Sequence, residues 1–176
     1  FSIEYINRFF QKPHRNDYEP LFQSGYERYR LLNQVRNNNN VETNFIYREK
    51  YRAGAKTPSE LKKTTIEYYE NIRQSDYIIC LRGTGNFSIR LYETLMMGRI
   101  PIFINTDCLL PFPSSIDWEK HIVIVEWREI HRLTDIVLDF HNKISNDSFI
   151  SLQKQNRELW EMKLNPKWVL ENLPRF

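Results

Sequence analysis

The chain has 176 residues, 41% hydrophobic, 14% aromatic and 27% charged. That length suits one ordinary domain, and that balance excludes a disordered tail. With 25 basic residues against 22 acidic ones the net charge is +3, an excess too mild to imply nucleic acid, and the apolar runs are too short to span a bilayer.

The two cysteines, Cys80 and Cys108, are too few for a disulfide framework or a four-ligand zinc site. The chain opens on Phe1, so the expectation is a portion of something longer, with any targeting segment outside it. Residues 1–23 carry aromatics, Pro13 and Pro20 without clean periodicity, and read as a linker or strap. Ser24 to Arg36 reads as a helix, with Tyr26, Tyr29, Leu32 and Val35 recurring on one face. Asn37 to Asn40 is an exposed loop. Val41 to Arg48 alternates Val41, Thr43, Phe45 and Tyr47, the pattern of a strand. Thr57-Pro58-Ser59-Glu60 opens a helix that runs to about Gln74, with Leu61, Ile66, Tyr69 and Ile72 inward.

The centre of the chain is more regular. Tyr77 to Leu81, Ile100 to Ile104 and His121 to Val125 are short apolar runs that read as buried strands. Between the first two lie a glycine-containing loop, Arg82 to Asn86, and a helix from Ser88 to Met97 that Gly98 stops. Leu109 to Phe112 is a loop. Helices are predicted from Arg128 to Ile144, with Ile130, Leu133, Ile136, Val137 and Phe140 on one face, and from about Phe149 to Met162. Strands alternating with helices predict a single three-layer α/β domain of the Rossmann-like kind over residues 1–176. Its sheet should be mostly parallel, with the three strands as neighbours.

The segment with chemistry in it is Arg82-Gly83-Thr84-Gly85-Asn86-Phe87-Ser88-Ile89-Arg90-Leu91-Tyr92-Glu93. It follows a strand and leads into a helix, the place where open parallel sheets bind ligands. Gly83 and Gly85 let the backbone turn and approach a ligand. The first amides of the helix suit phosphate oxygens, and Ser88 can cap the helix or donate to an anion. Arg82 and Arg90 add forked cationic donors. Glu93, one turn beyond Arg90, can accept from two adjacent sugar hydroxyls. The plainer alternatives are a simple glycine turn and an Arg90–Glu93 surface salt bridge. A third is dinucleotide binding by an NAD(P)-dependent oxidoreductase. Gly83 begins a G-x-G pattern and Asp107 follows the next strand, but Ser88 replaces the third glycine. No Walker lysine follows the loop.

Five segments in order resemble the exostosin family of glycosyltransferases: Cys80-Leu81-Arg82-Gly83, Ser88-x-Arg90-x-x-Glu93, Gly98-x-x-Pro101-x-x-Ile104, Leu110-Pro111-Phe112 and Ile116-Asp117-Trp118. Glu67-Tyr68-Tyr69-Glu70-Asn71-Ile72-x-x-Ser75 fits as well. The likeness covers at least Tyr68 to Leu138 and, more weakly, the tail around Leu159-Trp160. It implies an inverting transferase of GT-B architecture, in which two Rossmann-like domains face each other across a cleft. This chain would be the carboxyl-terminal half, binding a nucleotide diphosphate sugar for transfer to a glycan acceptor. Its expected partner is an amino-terminal acceptor domain outside the chain. The donor-binding residues implied are Arg82 and Arg90 on the diphosphate and Glu93 on the ribose. Gly83, Gly85 and Ser88 would shape the loop, and Asp107 is a further candidate facing the sugar. No metal or other cofactor is expected, since no Asp-x-Asp triplet is present, and the catalytic base is not identified. The alternative within the same likeness is a module that binds the nucleotide sugar without catalysis.

Other residues are expected to be structural. Asp107 also reads as a turn residue, Cys80 as core, Cys108 as structural, Trp118 as a loop anchor and Trp160 as core. His121 opens a strand and is also weighed as a base. Arg99 stands where the family usually has cysteine. Asn86-Phe87-Ser88 and Asn146-Asp147-Ser148 are glycosylation sequons. A glycan at Asn86 would block the donor loop. That and the two cysteines favour a cytoplasmic or membrane-associated, cytoplasm-facing location; for a eukaryotic enzyme of this kind the expectation is the Golgi lumen.

Overall fold

The computed structural model describes residues 22–83 and 85–172, so the strap expected over 1–23 falls almost wholly outside the described residues. The regular elements are α1 (Ser24–Arg36), α2 (Pro58–Arg73), β1 (Tyr77–Cys80), α3 (Ile89–Met96) and β2 (Ile100–Asn105). They continue as β3 (Val123–Glu126), α4 (Leu133–Lys143), α5 (Asn146–Leu159) and α6 (Pro166–Asn172). The three strands form one sheet in the order β1-β2-β3. Both pairings are parallel, with Tyr77 opposite Ile100 and Ile102 opposite Val123.

Helices cover both faces, because both faces are apolar. On one, Ile100, Ile102, Ile104, Val123 and Val125 meet Leu31 and Val35 of α1, Leu133 and Val137 of α4 and Leu152 of α5. On the other, Ile78, Cys80 and Phe103 meet Ile72 of α2, Leu91 and Leu95 of α3, and the buried Ile116 and Trp118. The result is the expected three-layer, Rossmann-like arrangement. No described helix is long and apolar enough to cross a membrane.

Local signals explain where the helices begin and end. Thr57 accepts from the Glu60 amide at 3.3 Å, and Glu60 accepts from the Thr57 amide at 2.9 Å. This reciprocal capping box starts α2 at Pro58. Backbone hydrogen bonds from Thr57 and Lys56 hold the Glu60 carboxyl below its ordinary range. Gly98 takes φ +61 just past α3. A Cβ there would stand 3.1 Å from the Gln153 carbonyl oxygen, so glycine also lets α5 approach.

Several expectations need correction. Val41 to Arg48 forms no strand. Val41, Thr43 and Phe45 do alternate inward, but the segment runs beside α2. It is held there by Asn71 donating to the Asn44 carbonyl at 2.7 Å and by Arg48 reaching Glu67. Alternating burial needs only one apolar neighbour; a strand also needs a ladder partner. Tyr26 and Tyr29 are exposed; α1 buries Val35, as expected, together with Leu31. Ile66 is likewise exposed. Arg128 to Ile144 is a 3₁₀ turn, Trp127–Arg132, followed by α4. The Ile130 and His131 carbonyls of that turn accept from Gln34 of α1 at 3.0 Å each. The last long helix starts at Asn146, capped by Ser145, whose hydroxyl accepts from the Ser148 amide at 3.2 Å. It passes through a π turn, Trp160–Leu164, into α6, which had no sequence expectation.

Candidate functional site

Strand β1 delivers its chain to the carboxyl edge of the sheet at Leu81, which is buried. Arg82 follows, 5% exposed, with its guanidinium carbon 5.0 Å from the centre of the Phe22 ring. The loop closes through the Gly83 amide, which donates to the Phe87 carbonyl at 3.2 Å. Neither Gly83 nor Gly85 takes a left-handed φ, so the turn itself does not demand glycine there. A Cβ on Gly83 would meet nothing within 4 Å. What glycine supplies at Gly83 is bare backbone facing open space. Ser88 is buried at the cap position of α3, but its side chain makes no capping hydrogen bond.

Arg90 and Glu93 do share a face of α3, yet they form no salt bridge. Tyr68 of α2 stands between them. Its ring lies 5.3 Å from the Arg90 guanidinium carbon, and its hydroxyl donates to Glu93 Oε2 at 2.5 Å. Burial, with Glu93 adding to it, pushes the Tyr68 phenol above its ordinary range. Tyr68 is therefore a persistent donor that orients the Glu93 carboxylate. Arg28 of α1 comes to the same place, donating to the Leu81 carbonyl at 3.5 Å. Beneath the cluster, burial pushes the Cys80 thiol up to about 12.

Asp107 lies in the loop after β2 with φ +60 and an exposed side chain. Its main chain is what the site uses: Asn86 donates to the Asp107 carbonyl at 3.1 Å and accepts from the Thr106 hydroxyl at 2.8 Å. These bonds tie the glycine loop to the loop after the next strand. Beyond that tie opens a groove of about 940 Å³ lined by Asn105, Glu126 and the Leu109–Trp118 loop. Asn105 donates to both Glu126 oxygens, at 3.0 and 3.2 Å, and accepts from the Cys108 amide at 3.2 Å. None of Arg82, Arg90 and Glu93 lines this groove. The structure thus brings Arg82, Gly83, Gly85, Ser88, Arg90 and Glu93 together on one loop and helix, with Asp107 at their margin.

The opposite edge of the sheet takes the remaining candidates. His121 shares a hydrogen bond of 2.9 Å between its Nδ1 and Asn156 Oδ1. The Asn156 amide donates to the carbonyls of Arg99 and His121, at 3.0 and 2.9 Å. Arg99 itself donates to the Arg73 carbonyl. These residues join elements and face away from the glycine loop. Trp118 is buried and donates to the Pro111 carbonyl at 2.9 Å, the loop anchor expected of it. Among the described residues no group of three or more His, Cys, Asp or Glu side chains is placed to hold a metal ion.

Sequence reasoning assigned no role to Arg28, Tyr68, Asn105 or Glu126. For Tyr68 the signal was present, since the Glu67–Ser75 segment stood out. For Arg28 there was none, because 53 residues separate it from Leu81.

A family model described as the Exostosin GT47 domain matches residues 8–140. Curated relatives match over shorter stretches. One, named "Probable glucuronosyltransferase", from Oryza sativa subsp. japonica, is 36% identical over 70 residues, which is 40% of this chain and 17% of that protein. Another of that name, from Physcomitrium patens, is 34% identical over 76 residues, 43% of this chain and 17% of the relative. A "Probable beta-1,4-xylosyltransferase" of Arabidopsis thaliana is 31% identical over 77 residues, 44% of this chain and 19% of the relative. The matched stretches therefore span under a fifth of these three proteins.

Proposed function

Because the chain belongs to the Exostosin GT47 family, we propose that it is the donor-binding half of a glycosyltransferase that moves a sugar from a nucleotide diphosphate to a glycan acceptor. The observation that carries this reading is the Arg90–Tyr68–Glu93 arrangement at the start of α3. A guanidinium and an oriented carboxylate, one helical turn apart, suit a diphosphate and the adjoining ribose diol. A turn rises by about 5.4 Å. The bare backbone at Gly83 leaves room for phosphate oxygens, which the first amides of α3 attract. Arg82 fixes positive potential beside them.

In the chemical step the acceptor hydroxyl oxygen bonds to the donor's anomeric carbon and yields its proton to a general base, while the nucleoside diphosphate leaves with the electron pair of the broken C–O bond. Guanidiniums that hold that diphosphate stabilise the charge developing on it. Inversion, independence of metal and a facing acceptor domain complete the proposal. The groove beside Asn105 and Glu126 supports it, being large enough for a sugar and floored by hydroxyl-binding groups. Family membership removes the ground for the dinucleotide alternative.

Calorimetry with UDP, GDP and NAD tests the donor class; binding of NAD alone overturns it. Glu93→Gln should fold normally and weaken binding of the nucleotide by roughly tenfold, the loss of about 1.4 kcal/mol. A 2′-deoxy nucleotide should bind the parent more weakly than the ribonucleotide, and Glu93→Gln should shrink that gap. Equal binding of the two nucleotides to the parent would remove Glu93 from the ribose. Turnover of nucleotide sugar by the full-length protein separates an enzyme from a binding module.

A further inference from the structure

We infer that the groove beside the glycine loop takes an uncharged sugar ring and rejects a uronic acid, and that Glu126, held by Asn105, sets this preference. This rests on the donor-site reading above and narrows it to a substrate class. Asn86 ties the glycine loop to Thr106 and Asp107, and the groove opens beyond that tie from Asn105 and Cys108 on either side of them. A second cavity, of about 480 Å³, lies at the opposite edge of the sheet beside Gly98 and Arg157. The larger groove is therefore the one that a sugar attached to a diphosphate at the start of α3 can enter.

At the end of β3, Glu126 is half-buried and lines the groove. Asn105 donates to both of its oxygens, at 3.0 and 3.2 Å, and is itself held by the Cys108 amide at 3.2 Å. The carboxylate is thus fixed in place by a neutral partner. An ionised carboxylate accepts about four hydrogen bonds, so it has acceptor positions left for sugar hydroxyls. None of the ion pairs among the described residues includes Glu126, and none of the described residues lining the groove is basic. Two lysines approach its outer loop. Lys120 pairs with Asp117 at 2.8 Å, and Lys163 donates to the Ser115 carbonyl at 2.7 Å. A sugar hydroxyl can donate to Glu126. A uronate's carboxylate cannot, and it brings a like charge into a site that water has partly left, which is a repulsive element of specificity. The alternative is that Lys163 turns from Ser115 to a uronate and makes it welcome.

The test is calorimetry on the full-length protein with nucleotide sugars that differ only at the exocyclic carbon. The pair is UDP-glucose and UDP-glucuronate, or GDP-mannose and GDP-mannuronate if the protein takes GDP. The parent should bind the neutral sugar about tenfold more tightly than the uronate, or better. Glu126→Gln keeps an acceptor for Asn105 and removes the charge. It should bring the two ligands within about threefold of each other by tightening the uronate; a merely structural Glu126 would shift both alike. In the parent, the uncharged uronamide of the same nucleotide should bind as the neutral sugar does, a measurement that stands whether or not the variant folds. A uronate that binds the parent as tightly as the neutral sugar, or a uronamide as weak as the uronate, overturns the inference and leaves the donor site standing. An unmoved ratio in folded Glu126→Gln overturns the role of Glu126. A parent that binds neither UDP nor GDP overturns the donor-site reading as well.

Discussion

Tyr68 shows how one side chain can serve two charges. Its ring supports the Arg90 guanidinium and its hydroxyl holds Glu93. Tyr68→Phe keeps the first contact and removes the second. It should fold normally and bind nucleoside diphosphate about three- to tenfold more weakly, as expected for one hydrogen bond to a charged group. Affinity equal to the parent would mean that Glu93 needs no orienting donor. The thiols make a second contrast. Cys80 is fully buried, with its thiol pushed up to about 12, whereas Cys108 is partly exposed. In the native protein a thiol reagent should modify one equivalent, at Cys108, and the second only on unfolding. Two fast equivalents would contradict the burial. At this scale the site was legible where its residues are close in sequence. Arg82, Arg90 and Glu93 announce themselves by spacing, but a contact such as Arg28 to Leu81 is created by packing and leaves no local pattern.

Among the elements, helix starts were the easiest to read, since a cap depends on neighbours three residues apart. The Thr57–Glu60 box is the clearest case, and it makes a prediction in pH. Backbone hydrogen bonds lower the Glu60 carboxyl below 4.5, its ordinary value. Its stabilising contribution is therefore present above that ordinary value and lost as pH falls through the lower, folded one. Acid should fray the first turn of α2, seen as faster amide exchange at Leu61, and Glu60→Gln should lack that step. Retention of the step in Glu60→Gln would assign it elsewhere. The Val41–Arg48 misreading has the opposite origin. Its period-two pattern is genuine, but a strand is a relation between two segments, and here Val41 and Phe45 pack on the core that holds Leu31 and Val35 without a ladder partner. The split before α4 is similar, because Gln34 claims the Ile130 and His131 carbonyls from a distant helix.

For the whole molecule, the sheet order and both parallel pairings follow from apolar runs joined by short connections. The family match begins at residue 8, some sixty residues before the likeness legible by eye. The two edges of the sheet divide the labour. The carboxyl edge gathers Arg28, Arg82 and Arg90, while at the amino edge Asn156, fully buried, joins α5 to the main chain before β2 and before β3. Asn156→Ala should cost about 2–3 kcal/mol, from the lost hydrogen bonds to His121 Nδ1 and to two carbonyls that are left stranded, with nucleotide affinity per folded molecule unchanged. A melt that does not move, or an affinity that does, would contradict this division.

Helix α3 has 8 residues, whereas isolated helices shorter than about 12–15 residues are marginal in water. It persists because Leu91 and Leu95 are sealed against β1 and β2. So β1, α3 and β2 should open and close as one cooperative unit rather than fray separately. Arg90 and Glu93 keep the geometry proposed for donor binding only while that unit is shut. A bound diphosphate would therefore slow hydrogen exchange not just around the glycine loop but at Leu95 and Ile102, deep in the interior and out of its reach. Occupancy of the site would then be readable from the core.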